Sequence, residues 1–205
     1  MKNITIMLDF GGVLMRTLDT GPRRIWEERF GLVDWGLAKL VFDNPVAHRA
    51  TIGEADTEDV WSFVRKHLDL SLDDLRSLKR DFWDGDSLNL ELIKYVHGMS
   101  DKCRAVILSN AWTGARQMFK SIPELDFFEE IIISSEVGIA KPDDRVFLQA
   151  CQIINVEPKE VIFVDDMKDN VNASISLGMH GVLFDTTSQV VKEIDKFLRE
   201  HNMFE

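Results

Sequence analysis

Cysteine is scarce in this chain. There are two, Cys103 and Cys151, without metal-ligand spacing and each set in an apolar segment. That excludes a disulfide-dense secreted scaffold and reads as two buried thiols in a reducing compartment. Long apolar runs are also missing: none approaches the roughly 18–20 residues of a membrane span. Nor is there a run of lysines or arginines, and the formal net charge is -11. With so little positive charge, a nucleic acid or an anionic membrane is excluded as a partner, and any phosphate that binds is a single small one. Internal repeats and low-complexity linkers are absent as well. These absences describe a cytoplasmic protein that spans no membrane, and oligomeric state leaves no mark in the sequence.

What is present is a chain of 205 residues with 45% hydrophobic content, enough for a sizeable core. Short unbroken apolar runs at Ile4 to Leu8, Arg104 to Leu108, Glu130 to Ile133, Val161 to Val164 and Gly181 to Phe184 predict strands covered on both faces. Helical patterns separate the last four, the signature of a parallel α/β sheet. The stretch between the first two runs far exceeds one crossover helix. From about Arg16 to Asp86 it reads as helices and carries Trp26, Trp35, Trp61 and Trp83, each expected in a helical core. Val60, Val64 and Leu68 recur every fourth residue, and Ser71 with Asp74 resembles a capping box.

Open parallel sheets bind ligands beyond the carboxyl ends of their strands, and polar groups collect there. Asp9 follows the first run and Ser109-Asn110 the second; Lys141 follows the third in IISSEVGIAKPD, and Asp165, Asp166 and Asn170 follow the fourth in VDDMKDN. Taken singly, each has an ordinary role: Asp9 in a turn beside Gly11 and Gly12, Ser109-Asn110 at a helix N-cap, Lys141 solvated ahead of a helix beginning at Pro142. The adjacent carboxylates Asp165 and Asp166 fit that view poorly. At the mouth of a buried sheet they repel each other unless a cation neutralises them, and a hard divalent ion such as Mg²⁺ suits oxygen ligands.

In this order, with a helical insert after the first, LDFGGVL, LSN, AKPD and VDDMKDN resemble the four motifs of the haloacid dehalogenase superfamily across the whole chain. The insert sits where that superfamily carries a helical cap of the first type, and TIGEADTEDVW resembles a common cap segment. The resemblance implies a Rossmann-like α/β core of residues 1–15 and 86–205 and a helical cap of residues 16–85. It implies Asp9 as nucleophile, with Ser109 and Lys141 on the phosphate. Asn110 is expected to add its backbone N–H at the start of the next helix. Mg²⁺ falls to Asp9, Asp166 and the Gly11 carbonyl, with Asp165 and Asn170 as neighbours that position the site.

Phosphatases of the superfamily usually carry a second aspartate two residues after the nucleophile, as general acid; here Gly11 stands there. General acid-base help is worth about 10² to 10⁴ in rate, so substrates whose leaving group needs little protonation are favoured. Members with a similar DFGG or DLGN opening resemble sugar-1-phosphate phosphatases. The expected activity is Mg²⁺-dependent hydrolysis of a small phosphorylated metabolite through an aspartyl phosphate. A hydrolytic 2-haloacid dehalogenase is the rival, since halide departure needs no acid, but dehalogenases usually have serines in place of the acidic pair. A non-catalytic metal-binding or regulatory protein is a third reading. Arg16, Arg23, His48 and Arg49 are candidate cap contacts to substrate, each also suited to a solvated surface.

Overall fold

The computed structural model describes residues 4–201. β1 (Thr5–Leu8) and β2 (Met15–Thr17) lead into five helices, α1 (Gly21–Phe30), α2 (Gly36–Phe42), α3 (Pro45–Thr51), α4 (Thr57–His67) and α5 (Leu72–Asp84). Next come β3 (Asp86–Leu88), α6 (Leu90–Gly98), β4 (Arg104–Ser109), α7 (Ala115–Lys120), β5 (Glu130–Ile133) and α8 (Ser134–Val137). The chain continues through α9 (Asp144–Ile154), β6 (Val161–Asp165), α10 (Lys168–Ser176), β7 (His180–Leu183) and α11 (Thr187–Glu200). No helix among the described residues is long and apolar enough to cross a membrane.

Five strands make one parallel sheet in the order β5-β4-β1-β6-β7, so the fold is α/β and Rossmann-like. The five apolar runs correspond to these strands to within a residue or two. Their uniform hydrophobicity has a direct cause: Ile6 and Leu8 of β1 pack with Leu92, Val96, Ile194 and Phe197 of α6 and α11, while Met7 faces Val146, Phe147 and Ala150 of α9. With both faces buried, every position repays being apolar, at roughly 1.5–3 kcal/mol for a large side chain. The thiols of Cys103 and Cys151 are buried in these two layers.

β1 lies at the centre, with Leu8 level with Ile107 of β4 on one side and Val164 of β6 on the other. Chain direction around the sheet reverses at this point, so the exits of β1, β4 and β6 frame the crevice where such sheets bind ligands.

Helices α1 to α5 form a lobe around Trp26, Leu37, Val41, Trp61, Val64, Leu78 and Phe82. Two expectations for this lobe need correction. Residues near its ends are not helical: Met15–Thr17 and Asp86–Leu88 pair as a two-stranded antiparallel ribbon, with Thr17 opposite Asp86. Three-residue strands are too short for a period-2 pattern, and their pairing is fixed by chain returning from far away. Gly85 makes that return possible, because a Cβ there would lie 1.8 Å from the Asp19 carbonyl oxygen. The tryptophans also divide. Trp26 and Trp61 are buried as expected, but Trp35 and Trp83 are 53% and 47% exposed. At the start of α5, Ser71 Oγ accepts from Asp74 N, while the Asp74 carboxylate takes the Ser71 hydroxyl and Arg29, half of a capping box.

Candidate active site

Asp9 is the first residue beyond β1, and its backbone N–H still extends the ladder to Val164 O at 2.9 Å. Its Oδ1 accepts from Phe10 N at 2.7 Å and sits 2.8 Å from Lys141 Nζ. Asp165 ends β6, and its carboxylate accepts from Lys141 Nζ at 2.7 Å, from Asn170 Nδ2 at 3.0 Å and from Met167 N at 2.8 Å. Lys141 gives its remaining donor to Leu108 O at 2.9 Å. All three ammonium hydrogens therefore point at protein oxygens, and the side chain is almost fully buried. The solvated role considered for Lys141 is overturned, and α9 begins at Asp144 behind an Asp143 cap instead of at Pro142.

Asp9, Asp165 and Asp166 present carboxylate oxygens within 4.8 Å of one another. One lysine offsets only part of that charge. Burial first, and then the charge of Asp165, push the Asp9 carboxyl up to about 7 against the opposing pull of Lys141. Asp166, the exposed member, is also raised, by partial burial and by Asp165. Three oxygen donors with a surplus of negative charge are the set that a hard divalent cation prefers. Bonds from Asn170 and Lys141 hold Asp165, while Asp166 is exposed.

The structure assigns other residues differently from the sequence reading. Asn110 is not at a helix start, since α7 begins at Ala115. Its side chain instead clamps the Lys141 backbone, Nδ2 donating to Lys141 O at 2.8 Å and Oδ1 accepting from Lys141 N at 2.9 Å. Ser109 ends β4 as a buried residue beside the exit of β1. Two residues of the site escaped the sequence reading. Ser134, fully buried, accepts from Ala111 N at 3.0 Å and ties down the loop after Ser109; the IISSE stretch is its only trace. Gly12 has φ +76°, and a Cβ there would lie 2.2 Å from Asp166 Oδ2, so the carboxylate rests against bare backbone. The GG doublet was its signal. Gly11 has no positive φ and no atom within 4 Å of its Cβ position.

The helical lobe lies on the loops of this site. Thr57 N donates to Thr113 Oγ1 at 3.1 Å and Thr57 Oγ1 to Thr113 O at 2.7 Å, and a Cβ on Gly53 would meet Ser135 O at 2.3 Å. Among the proposed cap contacts, Arg23 is neither a substrate group nor solvated: it is buried, donating to both Asp86 oxygens and to Phe82 O at the ribbon. His48 pairs with Asp43 at 3.1 Å, Arg49 donates to Glu54 O, and Arg16 lies over the Phe184 ring.

The Asp9 pKa has a consequence for stability. Between pH 3.8 and about 7 the folded protein holds a proton that the unfolded chain has lost, so this stabilisation is present in acid and disappears as pH rises through 7. Without divalent cations the folded state should be more stable at pH 5.5 than at pH 8, by on the order of 2 kcal/mol, and thermal unfolding should occur at correspondingly higher temperature. Scanning calorimetry of wild type and Asp9→Asn checks this, because the neutral amide should remove most of the difference.

An open parallel sheet with three carboxylates and a buried lysine beyond its strand ends forms an α/β site whose oxygen donors fit a divalent cation. The model of the haloacid dehalogenase-like hydrolases matches residues 5–178, and the chain belongs to that family. It is 40% identical over 43 residues to a glyceraldehyde 3-phosphate phosphatase of Methanopyrus kandleri, covering 21% of this chain and 18% of the relative. A mouse acyl-CoA dehydrogenase family member 10 is 32% identical over 94 residues, 46% of this chain but only 9% of that much longer protein. The chain thus spans less than a fifth of the length of these curated relatives. In fold it is similar to a HAD family enzyme of Bacteroides thetaiotaomicron crystallised with magnesium and inorganic phosphate (TM-score 0.72, 17% identity, 89% and 94% of the two chains). It is also similar in fold to an L-2-haloacid dehalogenase (TM-score 0.64, 19% identity, 86% and 82%).

Proposed function

We propose that this hydrolase is a Mg²⁺-dependent phosphatase of small phosphorylated metabolites, with sugar phosphates among them, and that residues 16–85 act as its first-type cap over a core of residues 1–15 and 86–205. The observation that carries this reading is the clustering of Asp9, Asp165 and Asp166 around Lys141. Asp9, Asp166 and the Gly11 carbonyl would hold the ion, whose part is to neutralise phosphate charge beside the carboxylates. An Asp9 oxygen attacks phosphorus, and the bond from phosphorus to the leaving oxygen breaks with its electron pair on that oxygen. Water then attacks the aspartyl phosphate, releasing phosphate and restoring Asp9. Ser109 donates to the phosphate, and Lys141, kept in place by Asn110, Asp165 and Leu108 O, balances charge throughout.

Phosphate release with Mg²⁺ across sugar, acyl and nucleoside phosphates is the direct test. Activity should vanish in excess chelator, and Asp166→Ala should lose it on the order of 10²-fold or more with an unchanged circular dichroism spectrum. Full turnover in chelator would remove the metal from this proposal. The dehalogenase reading draws on Gly11 and on the shared fold, but it leaves the charge of Asp166 without a use; halide release from 2-chloropropionate separates the two.

Gly11 shapes the substrate range. Without an acid there, log kcat/KM should fall steeply with leaving-group pKa. Since a side chain at position 11 meets open space, Gly11→Asp should fold normally and raise the rate for alkyl leaving groups by roughly 10²-fold, flattening the slope across an aryl and alkyl phosphate series. A uniform loss of rate would show that the new carboxylate never reaches the leaving oxygen.

A further inference from the structure

One small cleft on the helical lobe has a satisfied floor and an unsatisfied rim. Thr20, Arg23, Arg24 and Glu27, a stripe along α1 and its N-cap, line it together with Asp34 and Trp35 of the loop before α2, around a volume of about 40 Å³. On the floor, Arg23 donates to Asp86 and to Phe82 O, and Glu27 accepts from Leu37 N at 3.1 Å. The rim differs. Arg24 reaches only Thr20 Oγ1, at 3.4 Å, and among the described residues neither Arg24 nor Asp34 belongs to an ion pair. So small a cleft admits no metabolite, since ligand pockets run to roughly 300–1,000 Å³. Its rim suits a surface instead.

Apolar groups stand on the same loop. Val33 is 77% exposed and Trp35 53%, and Trp35 takes φ +63°, a left-handed conformation that a bulky aromatic residue seldom adopts. The loop is held at both ends: Leu32 N donates to Glu27 O at 2.8 Å, Gly36 N to Val33 O at 2.8 Å and Lys39 N to Trp35 O at 2.9 Å. The fold thus presents a large ring outward, on a backbone it does not favour, without burying it. A residue kept there against its own preference points to a contact made outside the chain.

We infer that this patch is where two copies of the chain associate, as a two-fold symmetric dimer through the helical lobes. A two-fold interface uses the same surface on both subunits, so that surface must complement itself. The rim does so with its own charges: Arg24 meets the partner's Asp34 while Asp34 meets the partner's Arg24. A partner carrying charge of one sign would match only half of it. Val33 and Trp35 of each protomer close beside these pairs, adding buried apolar area and excluding water. The contact is small, and two chains of net charge -11 repel each other at a distance. Association is therefore weak, with a dissociation constant on the order of 10 µM.

Sedimentation velocity of the full chain at rising concentration reads the association directly. Between about 1 and 300 µM, wild type should pass from the 23.5 kDa monomer to twice that mass. Arg24→Asp and Asp34→Arg should each raise the dissociation constant about ten-fold or more, because like charges then face each other. The two substitutions together should restore it to within about three-fold of wild type. Trp35→Gly removes the ring and the backbone strain at once, so it should weaken the dimer about ten-fold while melting no lower than wild type. A wild type that stays monomeric at the highest concentration overturns the inference and leaves the patch to a different protein. A dimer untouched by all three single substitutions also overturns it, since the interface then lies elsewhere. Single losses that the double substitution fails to restore overturn the Arg24–Asp34 pairing on which the symmetry rests.

Discussion

Asp9→Asn should abolish turnover, by at least about 10⁴-fold, in a protein that folds as well as wild type and still binds phosphate. The amide keeps the shape of the carboxylate and can still accept from Phe10 N and Lys141 Nζ, the two donors that orient Asp9. It lacks the nucleophilic oxygen that attacks phosphorus. Stability at pH 8 should not fall, because Asp9 is held ionised there against burial and against the charge of Asp165. With a phosphate ester an acyl phosphate on Asp9 should be trapped and found by mass spectrometry of the peptide, and in ¹⁸O water the label should leave in the released phosphate, because water attacks phosphorus. Retention of a substantial part of the activity by Asp9→Asn, or failure to trap any acyl phosphate on Asp9, would place the nucleophile elsewhere.

Lys141→Met should show the second large effect, and on stability as well as rate. Lys141 is the cation between Asp9 and Asp165, at 2.8 and 2.7 Å, with side-chain exposures of 1%, 12% and 0% for the three groups. Methionine fills similar volume but leaves two buried carboxylates facing each other and Leu108 O without its donor. Removing one partner of such a buried arrangement typically costs about 3–5 kcal/mol. The loss should be largest at pH 8 and shrink toward pH 5, where Asp9 takes up a proton, and added Mg²⁺ should recover part of it. Urea titrations at both pH values measure this. Turnover should be undetectable at either pH. A stable Lys141→Met protein at pH 8 would mean that Lys141 offsets no buried charge on Asp9 there.

Much of this site was legible in the chain because it is built at strand ends. An apolar run buried on both faces must stop where it meets water, and the first polar residue after it stands at the sheet's edge; Asp9, Ser109 and Asp165 could be located that way. Lys141 could be read as a member of the cluster, but its three bonds could not, since they join it to residues that lie far apart in the chain. Asn110 is the sharper case. Its place after β4 suggested a backbone donor, whereas the side chain matches both hydrogen-bonding groups of the Lys141 peptide. Nothing in a local pattern distinguishes an asparagine that caps a helix from one that braces a distant loop.

Local physics therefore determined the parallel α/β layers, the strand exits that carry chemistry and the surplus of negative charge among them. Burial on two faces, alternation and turn residues act over a few neighbours, and a sequence displays them directly. Tertiary structure alone decided which glycine the site requires. Gly12 needs positive φ and a bare Cα because Asp166, far along the chain, packs against it, while Gly11 beside it is open. It also decided that Arg23 is a buried brace of the ribbon and that Trp83 stays half exposed while Trp61 is enclosed. The reason in each case is the same: two residues distant in sequence meet only when the lobe and the sheet have packed, and the identity of the partner sets whether a side chain is strained, paired or left open.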